Sequence, residues 1–294
     1  MELFALSKFE KYESVSMNLQ NKLKGLPAIY YTNLDHRTDR RKYMETQFDY
    51  WNIQNYYRIS SSKYLSTEDD KWGHLVLDES LQMGAAAVAN SITHLEMIKS
   101  WLETSNEDYM IMMEDDYDLS LIKYWNFDWE YLMNNIPHNW DCIQLGFENE
   151  VFIPFFLHPV HHNHGFGPCL INRDYAKKLI KLHCINDKFR LNILTNDVRH
   201  KKTYGIVDSF ILEGGKTYSI PLITNNPDLG SDYASDGLSR PWFSECRDLY
   251  YNWWKNEHYN FSLEDFFNYG KLNDRDMIRR LKCKKEKGVK FNYS

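Results

Sequence analysis

The sequence predicts an α/β fold: a mixed sheet flanked by helices, with a helical C-terminal appendage. Three observations carry this. Short apolar runs bounded by polar turns read as buried strands, notably residues 28–34 (AIYYTNL), 109–113 (YMIMM) and 141–147 (DCIQLGF). Segments with apolar residues at helical spacing alternate with those runs. The second of these runs breaks into Glu114, Asp115 and Asp116, with Asp118 two residues on, and carboxylates at the carboxyl end of a strand sit where open α/β sheets bind ligands.

In order, residues 1–26 are polar with weak helical periodicity and are expected to be an accessory segment. The first strand, 28–34, follows Pro27. The polar turn Asp35-His36-Arg37-Thr38-Asp39-Arg40-Arg41 comes next, with Thr38 or Asp39 as helix cap. Tyr43, Met44, Phe48 and Trp51 mark the helix, and residues 56–60 return as a strand, completing β-α-β. Residues 61–82 read as irregular. Residues 83–103 form the best helix, with Ile92, Leu95, Ile98 and Leu102 on one face, and lead into the acidic strand. Further elements are a helix over 125–135, strands at 141–147 and 151–157, a short extended segment at 169–172, and a helix over 174–183. A short helix runs from Asp208 to Leu212, a strand covers 218–224, and aromatic-rich helices follow from 239. The expected division is 1–26, a main domain at 27–238, and an appendage at 239–294 whose end carries a basic tail.

Composition narrows the function classes. The net charge of −6 over 294 residues gives no general attraction to nucleic acid. No run of about 18 apolar residues occurs, so no membrane span is expected. The N-terminus lacks a basic region followed by an apolar one, so no secretory signal is expected. Five scattered cysteines without CxxC spacing suit reduced thiols in a cytoplasmic protein. Residues 271–294 carry nine Lys/Arg against three Asp/Glu. That is either a solvated tail or a peripheral contact with an anionic membrane surface.

The acidic cluster offers hard oxygen ligands suited to Mg²⁺ or Mn²⁺ with a phosphate-bearing substrate; an acidic loop after a strand is the alternative. Thr32, Asn33, Leu34 and Asp35 end the first strand, and Arg37, Arg40 or Arg41 could fork onto a diphosphate. The alternative there is a solvated turn with an arginine paired to Asp39. Ser91 and His94 share a helical face with Ile98, which leaves a buried, hydrogen-bonded histidine as the alternative. Asp208 is either a helix cap worth ~1 kcal/mol or a general base, with Asp232 and Glu148 next in line. His158, His161, His162 and His164 match no zinc-finger spacing, and a metal-dependent hydrolase would need them to converge with the carboxylates.

Five stretches in order resemble the family 25 glycosyltransferases, a group with bacterial lipopolysaccharide sugar transferases and animal collagen galactosyltransferases. They are I-Y-Y-T-N-L-D-H-R-T-D-R-R at 29–41, the helix ending S-I-T-H-L at 91–95, M-M-E-D-D at 112–116, G-F-G-P-C-L-I-N at 165–172 and V-D-S-F-I-L at 207–212. The resemblance spans roughly residues 28–232. It implies a GT-A fold, a Rossmann-like mixed sheet taking a UDP-sugar, with Mn²⁺ or Mg²⁺ on the diphosphate. It also implies an inverting hexosyl transfer, of galactose or glucose, to a hydroxyl of a glycan or lipid-linked acceptor. On that pattern Asp116 and Glu114 are the metal candidates and Asp208 the base. Thr32, Asn33, Leu34, Asp35, Arg37, Arg40, Ser91, His94, Glu114 and Asp115 are the donor-binding candidates. One departure stands out. Many GT-A enzymes supply a late histidine to the metal, but after Asp208 this chain has only His258; Asn225, Asn226, Asp228 or water are the substitutes. A catalytically silent nucleotide-sugar or glycan-binding protein of the same fold is the competing expectation.

Overall fold

The computed structural model describes residues 21–62, 76–77, 85–148, 153–160, 165–191, 207–232 and 241–268. Residues 1–20 of the expected accessory segment, the histidines at 161, 162 and 164 and the basic tail lie outside them.

Strand β1 (Ile29–Asn33) runs into helix α1 (Thr38–Tyr50) and back to β2 (Tyr56–Ser60), which pairs parallel to β1. Helix α2 (Ala85–Thr104) precedes β3 (Tyr109–Glu114), parallel to β1 on its other side. After the two-residue β4 (Tyr117–Asp118), helix α3 (Trp129–Asn135) is capped by the Asp128 side chain. Then come β5 (Cys142–Gln144), β6 (His158–Pro159) and β7 (Cys169–Asn172). Helix α4 (Arg173–His183) is capped by Asn172 and followed by the hairpin β8 (Cys184–Ile185) and β9 (Lys188–Phe189). Last are α5 (Val207–Leu212), β10 (Thr217–Ser219), β11 (Thr224–Asn225), α6 (Pro241–Glu257) and α7 (Leu263–Phe267).

Seven strands form one mixed sheet in the order β2-β1-β3-β7-β5-β10-β6. Pairs are parallel from β2 to β3 and between β5 and β10, and antiparallel elsewhere. This is the expected α/β Rossmann-like sheet. Strand alternation sorts its side chains into two cores. Ile29, Tyr31, Ile111, Met113, Ile143 and Leu170 face a layer containing Met44 and Phe48 of α1, Leu132 of α3, Trp254 of α6 and Phe266 of α7. Tyr30, Met110, Met112, Cys142 and Ile171 face Ile92, Leu95 and Trp101 of α2, Leu179 of α4 and Phe210 of α5. Both faces are covered, which explains why β1 and β3 read as continuous apolar runs.

Three details depart from expectation. Neither Thr38 nor Asp39 caps α1; Arg37 holds the cap position without a side-chain cap bond. Of the strand expected at 151–157, the described residues 153–157 are not in a strand; the strand is His158–Pro159, which pairs with β10. The strand expected at 218–224 is two strands, interrupted around Pro221, which lacks the N–H a ladder needs.

Candidate functional site

The carboxyl ends of β1 and β3 lie side by side, with Thr32 opposite Glu114. Onto this edge converge the turn after β3, Glu148 beyond β5, Phe166 before β7 and Asp208 in the first turn of α5. The convergence depends on close backbone approach. A Cβ on Gly146 would stand 2.0 Å from the Ile223 carbonyl oxygen, and one on Gly167 would stand 1.7 Å from that of Gly146. Glycine lets these segments touch. The space beside Gly167 is therefore filled by the chain itself rather than left for a ligand.

One half of the site is paired throughout except at Arg40 Nε, which is buried without a hydrogen-bond partner. The Asp115 carboxylate is buried and accepts from Asn33 Nδ2 (2.6 Å) and Arg40 (2.7 Å). Asn33 also donates to the Arg37 carbonyl (3.1 Å), and its Oδ1 accepts from Arg58 Nε (2.8 Å). Arg40 also donates to the Gly230 carbonyl (2.7 Å), with Asp116 at 3.6 Å and Asp232 at 3.8 Å. Burial works against its charge, but Asp116 and Asp115 more than offset that and hold it protonated. Arg37 grips Asp39 and Asp232 and donates to the Leu229 carbonyl. Asp35 is exposed and bonded to Arg58 and Ser60, which keep its carboxyl below the usual range. Thr32 is buried and Leu34 half-buried on the same edge.

The other half gathers carboxyls with too little positive charge beside them, so burial and mutual repulsion make several of them hold their protons. Burial first, then the charge of Asp116, pushes the Glu114 carboxyl up to about 8, although Asn90 donates to it at 2.8 Å. Burial pushes Asp116 up to about 6, against the pull of Arg40. Asp208 is also raised to about 6 by burial, while its own backbone N–H and that of Phe166 partly stabilise the anion. Glu148 is driven well above the carboxylate range by burial and by Asp116, Glu114 and Asp208. Tyr117, between them, donates to the Phe166 carbonyl (2.6 Å).

His94 is fully buried, its Nδ1 bonded to the Asn90 carbonyl (2.9 Å) and its ring edge-on to Phe166. Burial lowers its pKa to about 4, so the imidazole is neutral. A carbonyl only accepts, so Nδ1 carries the proton and Nε2 is a buried acceptor without a hydrogen-bond partner. Ser91 is buried one turn earlier. His158 is buried in β6, its Nδ1 on the Phe156 carbonyl.

Asn90 and Arg58 were not among the candidates from sequence. Asn90 lies four residues before His94 on one helix face, and Arg58 is a lone cation within a strand; both signals are present in the chain.

Among the described residues, no three His, Cys, Asp or Glu side chains are grouped to hold a metal ion by themselves. The donor chemistry nonetheless fits Mn²⁺ or Mg²⁺. The oxygens are hard, their charge is unbalanced, and Mg²⁺-type sites commonly use one or two carboxylates completed by substrate phosphates. Glu114 and Asp116 would be the holders.

No family model and no curated protein matches the chain. Among solved structures it is similar to A197 from STIV, with TM-score 0.35 and 11% identity over 68% of this chain and 84% of that one. It is also similar to HddC from Yersinia pseudotuberculosis, with TM-score 0.30 and 12% identity over 79% and 83%. Likenesses at these scores carry no argument about function. No helix among the described residues is long and apolar enough to cross a membrane.

Proposed function

We propose that this protein is a GT-A glycosyltransferase of the family 25 type, moving a hexose from a UDP-sugar to a hydroxyl of a glycan or lipid-linked acceptor, as in lipopolysaccharide biosynthesis. The observation that carries the reading is the set of Glu114, Asp116, Glu148 and Asp208, partly buried at the strand ends and mutually repelling without a matching cation.

Asp116 and Glu114 would hold Mn²⁺ or Mg²⁺, which would supply neutralisation of the charge growing on the leaving diphosphate. Thr32, Asn33 and Leu34 form the floor for the nucleoside, and Arg58 and Asp35 border it. Asp208 takes the proton of the acceptor hydroxyl. That oxygen bonds to the anomeric carbon as the bond from this carbon to the diphosphate oxygen breaks, releasing UDP with inversion. A base raised to about 6 by burial is ionised yet basic near neutrality. His94, neutral and lacking a partner at Nε2, suits acceptance of a ligand hydroxyl proton. The cytoplasm is the expected setting.

A second reading, a silent binder of nucleotide-sugar or glycan, draws support from the arginines. Arg37 and Arg40 are engaged by Asp39, Asp115 and Asp232 rather than held free for a phosphate.

A thermal-shift panel of UDP-, GDP- and CMP-sugars with and without Mn²⁺ tests the proposal, since a ligand raises apparent stability in proportion to RT ln(1 + [L]/Kd). A UDP-sugar shift that grows with Mn²⁺ is expected. A shift with GDP- or CMP-sugars alone contradicts the donor assignment, and binding without any transfer or donor hydrolysis favours the silent binder.

A further inference from the structure

The cation site proposed above has too few ligands, and Asn225, Asn226 and Asp228, at and just after the end of β11, carry side-chain oxygens close to the turn at Asp116. Two are already engaged. The Asn226 side chain accepts from the Asp228 backbone N–H (3.2 Å) and hydrogen-bonds Tyr43. Asp228 is 76% exposed and paired with Arg247 at 2.7 Å. Asn225 differs. It is 6% exposed, and its Oδ1 is buried with no hydrogen-bond partner. A buried carbonyl oxygen left unpaired costs roughly 1–3 kcal/mol, so such an atom calls for a ligand.

The strand register says where it points. Asn225 lies directly opposite Tyr117 in the antiparallel β4–β11 pair, and opposed residues share a face. The Tyr117 phenol borders Glu148, Glu114 and Asp116. The neighbouring pair, Thr224 and Asp118, takes the opposite face, where Asp118 bonds Tyr251 (2.7 Å) and the Ser120 N–H (2.7 Å). Asn225 therefore presents an unpaired oxygen on the carboxylate side, where only a positive or hydrogen-donating ligand is tolerated.

We infer that Asn225 Oδ1 is a neutral oxygen ligand for a divalent cation of the Mg²⁺/Mn²⁺ class held by the acidic cluster. This rests on the metal-assisted donor reading above. An amide oxygen is a hard ligand and adds no charge to a cluster that already repels itself.

The test uses the full chain and Mn²⁺ alone, with free Mn²⁺ counted by electron paramagnetic resonance. Asn225→Ala should weaken Mn²⁺ binding on the order of tenfold or more, the scale on which ligand-shell changes act. Asn225→Asp, which keeps an oxygen in place, should bind at least as tightly as wild type, and Asp228→Ala should bind unchanged. Wild-type affinity in Asn225→Ala, lost affinity in Asn225→Asp or Asp228→Ala, or no Mn²⁺ bound by the wild type each overturns the inference. The sugar-nucleotide panel separates the two readings. Mn²⁺ binding through Asn225 without any sugar-nucleotide shift keeps this inference and removes the transferase reading. A Mn²⁺-independent UDP-sugar shift does the reverse.

Discussion

Asp115 and Asp116 are adjacent in sequence and stand in opposite halves of the same strand-end site. Asp115 is bonded on both oxygens, to Asn33 and Arg40, in a chain that runs from Arg58 through Asn33 to Arg40 and Gly230. Asp116 has a loose ion pair, 3.6 Å to Arg40, and a bond from its own backbone N–H, and it shares its space with Glu114 and Glu148. The first half is the frame that fixes β1, α1 and the 229–232 turn. The second is a charge deficit the fold leaves unbalanced, and such deficits gather at functional sites. A row of three carboxylates thus divides into one that stabilises the protein and two that it tolerates.

The largest expected effect lies in the second half. Asp208→Asn should lower transfer by about 10²–10⁴-fold, the usual contribution of a positioned base, and keep the donor-induced thermal shift; losing the shift as well would make the role of Asp208 structural.

Next is the contrast between the two aspartates. Asp115→Ala leaves the buried Arg40 without its closest partner and should cost about 3–5 kcal/mol in denaturant unfolding. Asp116→Asn removes a repelling charge and should not lower stability at pH 8. Equal losses would break the distinction between the halves.

A smaller effect appears in pH dependence. Unfolded carboxyls lose their protons near about 4, whereas Asp116 and Asp208 hold theirs to about 6 and Glu114 to about 8. In that window the folded state binds more protons, so stability falls as pH rises. The midpoint of thermal unfolding without divalent cation should decline from pH 4 towards 8 through these groups, and Glu114→Gln should flatten the upper part. A slope unchanged by Glu114→Gln would place the titration elsewhere. Smallest of all, Asp228→Ala, which breaks a surface pair with Arg247, should stay within about 1 kcal/mol of wild type.

The frame is largely legible in the sequence. Residues 29–33 and 169–172 stand out because apolar runs buried on both faces leave little ambiguity, whereas 56–60, at the sheet edge and only partly buried, is found by its place after the first helix. The sequence also marks Glu114, Asp115, Asp116 and Asp208 as a group. It does not tell Asp115 from Asp116, because that difference is made by Asn33 and Arg40, about 80 positions away in the chain. The helix expected over 125–135 begins instead at Trp129, where Asp128 caps it. Beyond residue 240 the expected appendage contributes Tyr250 and Trp254, both fully buried, to the core under β1 and β3; aromatic content alone does not reveal what such rings pack against.

The central claim is that the unbalanced carboxylates hold a diphosphate through a divalent cation. Calorimetric titration of UDP-galactose and UDP-glucose into the wild type and Asp116→Asn, each with and without Mn²⁺, tests it most directly. Mn²⁺ should tighten UDP-sugar binding about tenfold or more in the wild type, within the usual range of coupling between two ligands, and leave Asp116→Asn unaffected. Equal tightening in both proteins, or none in either, would contradict the account.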